Sequence, residues 1–110
     1  MEVLKWLRLL GDGSRVRILR LLAQEELSVA DLQEILGMGQ SRISMQLSQL
    51  KQAEFVEVRR SGQKSLYRLI VPQGAQTLLQ EVLEKSSNEI HETAHDDEGL
   101  RLVLERRKDH

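Results

Sequence analysis

The chain has 110 residues, 40% of them apolar and 30% charged, which fits one folded domain and excludes a disordered tail. It has no cysteine, so a disulfide frame, a thiolate metal site and a cysteine nucleophile are all excluded. The net charge of -1 hides a division along the chain: residues 40–68 hold six basic groups (Arg42, Lys51, Arg59, Arg60, Lys64, Arg68) against two acidic ones, whereas residues 73–98 hold seven acidic groups against Lys85 alone.

The N-terminal "MEVLKWLRLL" is broken by Glu2, Lys5 and Arg8, so it does not read as a signal peptide, and no apolar run approaches bilayer length. A cytoplasmic protein with no membrane partner is expected. Val3, Leu4, Leu7 and Leu10 give a first helix that ends at "GDG". Asp12 is placed to cap a second helix, whose apolar positions are Val16, Ile18, Leu19, Leu21 and Leu22. Ser28 and Asp31 form a variant capping box for a short third helix, which Gly37 stops. A fourth helix is predicted from about Gln40 to Gln52, its buried stripe Ile43, Leu47 and Leu50.

The period then changes from helical to alternating. "FVEVRR" and "SLYRLIV" read as two strands of a hairpin joined by "SGQK", and Pro72 blocks the second strand from continuing. A long helix follows, with Ala75, Leu78, Leu79, Val82 and Leu83 on one face. Beyond Ser86 the pattern thins, and "LRLVLERRK" after Gly99 reads as an amphipathic tail or linker. The expected division is a domain over 1–97 and a tail over 98–110.

The fourth helix has an odd outer side. Ser41, Ser44, Met45 and Ser48 stand where a solvated helix would carry Glu and Lys. Short side chains able to donate and accept suit a helix lying in the major groove, and the basic hairpin after it suits a wing. The expected architecture is mainly α with a small β-hairpin, a winged helix-turn-helix. Each residue also has a plainer role: Gln40 and Ser41 as ordinary helix-start residues, Arg42 as a solvated arginine, and Arg59, Arg60 and Lys64 as charges that blunt a strand edge. What favours DNA is that all of them fall in the one strongly basic segment.

Residues 9–69 resemble the ArsR family of winged-helix transcriptional repressors. That family's recognition helix reads approximately S-Q-S-x-V-S-x-x-L-x-x-L, which falls on Gly39 to Leu50, and its wing reads R-x-G-x-x-x-x-Y, which falls on Arg60 to Tyr67. The resemblance implies groove contacts from Gln40, Ser41, Arg42, Ser44 and Met45 and wing contacts from Arg60, Gln63 and Lys64. It also implies a homodimer built from the first and last helices, with Val3, Leu4, Leu7, Leu78, Leu79, Val82 and Leu83 at the interface. Such a dimer would read an inverted repeat in double-stranded DNA.

The departures are informative. Gly39 stands at a cap position usually held by serine, Gly13 replaces the usual proline, and Met45 stands where histidine or arginine is common. Ser28 and Ala30 occupy the place of the cysteine pair of metal-sensing members. His91 and His95 are spaced as two imidazoles on one helix could be. However, the last-helix zinc pattern puts Leu102 where its distant histidine belongs, so a solvated acidic helix end is expected and no metal. "ELSVADLQEILGMGQSRIS" also resembles ArsR-type domains fused to an S-adenosylmethionine-dependent methyltransferase. No glycine-rich nucleotide loop is present, so no cofactor is expected on these residues. No nucleophile, base and orienting group come together in the sequence, so the chain is not expected to be an enzyme. The alternatives to a DNA-binding repressor are a winged helix used for protein contact and the regulatory N-terminal domain of such a fusion.

Overall fold

The computed structural model describes residues 2–108. Six helices and one hairpin follow in the order α1 (Glu2–Leu10), α2 (Gly13–Leu22), α3 (Val29–Leu36), α4 (Gln40–Gln52), β1 (Val56–Ser61), β2 (Lys64–Leu69), α5 (Gln76–Glu89) and α6 (Thr93–Lys108). Several of these boundaries have a local chemical cause. Asp12 accepts from the Arg15 backbone N–H at 3.2 Å and opens α2. Ser28 and Asp31 close a reciprocal capping box at 3.1 and 3.0 Å, and Gly37, at φ +68°, ends α3. Gly39 caps α4 without a side-chain bond.

The end of α4 is less expected. The Phe55 N–H donates to Leu50 O and the Glu54 N–H to Lys51 O, the paired bonds of a Schellman turn. Glu54 takes the left-handed position at φ +65°, where glycine is the usual residue. Buried Phe55 and Leu50 are the apolar contact that accompanies this turn. The strands β1 and β2 then pair antiparallel from Val56↔Leu69 to Ser61↔Lys64, leaving Gly62 and Gln63 as a two-residue loop with Gly62 at φ +64°. Leu27 bridges to Tyr67 with both backbone bonds, at 3.0 and 2.8 Å, and so ties the α2–α3 loop to β2.

The core gathers Trp6 and Leu10 of α1, the apolar face of α2, Leu32 and Ile35 of α3, Ile43, Leu47 and Leu50 of α4, Phe55, Val56, Leu79, Leu100 and Val103. Three of these positions change the sequence-based picture. Leu79, expected at a subunit interface, is only 3% exposed within the single chain. Leu100 and Val103, expected in a tail, are buried where α6 folds back onto α2 and α3. The expected boundary between 97 and 98 therefore falls inside a helix. Gly99 allows the close approach, since a Cβ there would lie 3.1 Å from Ile35 Cγ2. The last two residues of the expected tail, 109–110, lie outside the described residues.

The acidic stretch before residue 98 is not a solvated helix end. Asp96 is wholly buried and takes two bonds from the Arg17 guanidinium, at 2.8 and 2.9 Å. Arg17 is held above its ordinary basicity by that hydrogen bond, against the effect of its own burial. Asp97 pairs with Arg20 at 3.3 Å. What the sequence shows as an acidic run therefore includes the partners of Arg17 and Arg20 of α2.

Candidate nucleic-acid interface

The apolar stripe of α4 faces inward, and its opposite side is open. Ile43, Gln46, Leu47 and Leu50 are buried, while Gln40, Ser41, Arg42, Ser44, Met45 and Ser48 are exposed, Met45 by 53%. Ser41 and Ser44 make no side-chain hydrogen bond within the described residues, so their hydroxyls are available to an outside partner. The exposed face can donate, accept and make one apolar contact, the set that base edges and a thymine methyl require.

The helix is held from behind by α2. Arg15 donates from Nε to Gln46 Oε1 and from Nη2 to Gln49 Oε1, both at 2.7 Å, and from Nη1 to the Leu9 carbonyl of α1 at 3.0 Å. In return Arg42 reaches from α4 to Ser14 Oγ at 2.6 Å. One guanidinium thus spans α1, α2 and α4. The sequence reading missed this clamp, although buried Gln46 beside the Ile43–Leu47–Leu50 stripe is a polar group that needs a partner.

Arg60, Gln63 and Lys64 are all exposed near the hairpin turn. The basic segment divides into two kinds of cation. Arg59 is bound to Glu26 through two bonds at 2.7 and 3.0 Å, and Arg68 is bound to Glu57 across the strands. The Arg59 bond holds the Glu26 carboxyl below its usual range. Arg42, Lys51, Arg60 and Lys64 have no carboxylate partner among the described residues, and Arg60 has only the Ser65 hydroxyl at 3.4 Å. The groove and wing residues occupy separate elements, and no hydrogen bond joins the two groups.

Of the residues expected at a subunit interface, Val3, Leu4 and Leu7 stand on the open side of α1, exposed by 52%, 47% and 48%. Leu78, Val82 and Leu83 of α5 are half-buried against the core. The last helix is α6, not α5, and it packs onto α2 and α3, so the exposed candidates are those on α1. His91 lies in the turn before α6 and His95 within it, so the two do not share a helix. Among the described residues no three His, Asp or Glu side chains gather as a metal site.

The chain is similar in sequence and fold to known proteins. The family model described as "Bacterial regulatory protein, arsR family" matches residues 12–58, from the cap of α2 into β1. The transcriptional regulator KmtR of Mycobacterium tuberculosis is 39% identical over 67 residues, which cover 61% of this chain and about half, 52%, of that protein. The solved structure of the transcriptional repressor BigR from Xylella fastidiosa superposes with a TM-score of 0.70 at 30% identity, covering 81% of this chain and 87% of that one. A solution structure from Mycobacterium bovis, Mb0332, is described as a homodimeric winged helix-turn-helix DNA-binding domain. It gives a TM-score of 0.66 at 30% identity and covers 82% of each chain. With its helix-turn-helix and two-stranded wing in this arrangement, the chain belongs to the arsR family of bacterial regulatory proteins.

Proposed function

We propose that this chain is a transcriptional repressor that binds double-stranded DNA as a homodimer, reading an inverted repeat with α4 and gripping the backbone with the wing. The observation that carries the reading is the exposed, short-armed face of α4 on a helix whose other side is buried and clamped by Arg15. Gln40, Ser41, Arg42, Ser44 and Met45 are assigned to base edges and adjacent phosphates. Arg60, Gln63 and Lys64 are assigned to the backbone beside the groove. The names of KmtR and BigR as transcriptional regulators support this role, and the homodimer described for Mb0332 supports the assembly.

Dimerisation is assigned to the open face of α1, through Val3, Leu4 and Leu7, and to the half-buried Leu78, Val82 and Leu83 of α5. Two-fold symmetry would then present two copies of α4 to half-sites one helical turn apart, about 34 Å. No helix among the described residues is long and apolar enough to cross a membrane, which suits a cytoplasmic regulator. No catalytic role is assigned to any residue. Selection of bound duplexes from a random pool at controlled salt tests the function. An inverted repeat is expected; recovery of no preferred sequence would overturn the reading and favour a winged helix used for protein contact.

A further inference from the structure

Helix α6 brings additional cations to the wing. Its last turn carries Arg106, Arg107 and Lys108. Arg106 and Arg107 line a cavity of about 230 Å³ together with Lys64, the first residue of β2, and with Ala30, Asp31 and Glu34 of α3. Three cations face two carboxylates there, so the cavity keeps a positive surplus.

The charges in this cavity have different duties. Arg107 is an anchor, donating to Asp31 at 2.7 Å and to the Glu26 carbonyl at 3.0 Å. Asp31 is already engaged, because it also accepts from the Ser28 backbone N–H in the α3 capping box. Among the described residues Arg106 has Glu34 alone, and both side chains are more than half exposed, at 60% and 53%. Lys64 has no carboxylate partner among the described residues. An exposed ion pair contributes only about 0–1 kcal/mol, so Arg106 can exchange Glu34 for an anion that it binds in a bidentate manner.

We infer that Lys64 and Arg106 form an accessory site for a backbone phosphate of duplex DNA beside the wing, and that Glu34 competes with the phosphate for Arg106. The inference rests on the DNA-binding reading above. It extends the contact surface from the helix-turn-helix and wing to α6. It also gives Glu34 a sign opposite to that of a simple stabilising partner: removing it should strengthen binding.

The test measures affinity for a fixed duplex against salt concentration with the full chain, its Arg106→Ala and Glu34→Gln variants, and a matched control pair. The controls are Arg101→Ala and Glu98→Gln, which break an exposed α6 ion pair of 2.7 Å that lies outside the cavity. Arg106→Ala is expected to reduce the slope of log affinity against log salt by about 0.9 per protomer, about 1.8 for the dimer, so that a fourfold rise in salt costs roughly 12-fold less in affinity than for the parent chain. Glu34→Gln is expected to tighten binding several-fold, and each control to shift affinity less than the cavity variant of the same charge change. If the parent chain binds DNA but Arg106→Ala keeps the full slope, or Glu34→Gln does not tighten binding beyond Glu98→Gln, this inference fails alone. If the parent chain binds no duplex, the DNA-binding reading fails with it.

Discussion

Arg15 shows how much a single side chain can decide in this molecule. Its guanidinium satisfies two buried or half-buried glutamines of α4 and a carbonyl of α1, so its removal leaves three acceptors without a donor. Arg15→Ala is expected to cost about 1–3 kcal/mol in urea unfolding. Arg15→Lys, which cannot reproduce the forked donor geometry, should keep the fold while lowering preference for the selected duplex over random DNA. Equal losses on both DNAs would show that Arg15 does not aim α4. The proposed contacts separate by the same logic. Arg60→Ala and Lys64→Ala should weaken binding to all sequences and flatten the salt slope, whereas Ser44→Ala should change preference at one base position by about 1–3 kcal/mol. Equal effects of the two classes on specific and random duplexes would contradict their roles.

At the scale of the element, caps and turns were the most legible features. Asp12, the Ser28–Asp31 box, Gly37 and the Gly62 turn act through bonds between residues a few positions apart, and the sequence displays those spacings directly. The Glu54 turn was not legible, because a tertiary contact of Phe55 with the core holds a non-glycine residue at positive φ. Glu54→Gly is expected to stabilise the domain by roughly 0.5–1 kcal/mol, the relief of left-handed strain less the added chain entropy of glycine. A fall in the urea midpoint would show that the Glu54 backbone is not strained. The capping box also predicts a pH dependence. Burial alone would raise the Asp31 carboxyl, but the Ser28 N–H and hydroxyl and the Arg107 guanidinium outweigh it and hold it below the usual value. A depressed carboxyl contributes stability that is present above its unfolded pKa, about 3.9, and lost as pH falls through the folded value. Asp31→Asn should therefore lose stability at neutral pH and show a shallower decline below about pH 4, measured by thermal unfolding.

For the whole molecule, the sequence exposed the helix-turn-helix and the wing but not the closure of the fold by α6. The residues that attach α6 are far apart in the chain: Asp96 finds Arg17, Asp97 finds Arg20, and Gly99 lies on Ile35. Read locally, the same letters are an acidic run and a thin apolar pattern, which is why a tail was expected. Leu79 was misplaced for a related reason. Its helical face was correctly apolar, but periodicity does not say whether such a face meets the same chain or another. Asp96→Ala should cost about 3 kcal/mol or more, because it strands Arg17 largely out of water, while replacing both partners by apolar groups should cost less. A double variant as unstable as the single would contradict that account of α6. Dimerisation is tested on α1 rather than at Leu79: Leu4→Asp and Leu7→Asp should give folded monomer in sedimentation. An unchanged dimer would remove α1 from the interface.

Base reading is assigned here to the outer face of α4. It is tested most directly by a cycle that pairs one side chain with one base pair: affinities of the parent chain and of Gln40→Ala for the selected half-site and for duplexes substituted singly at each of its positions. Gln40→Ala is expected to abolish discrimination at one position, about 1–3 kcal/mol, and to leave the others intact. Discrimination that survives unchanged at every position would contradict the assignment of Gln40. The same result for Ser41, Arg42, Ser44 and Met45 in turn would contradict base reading by α4 altogether.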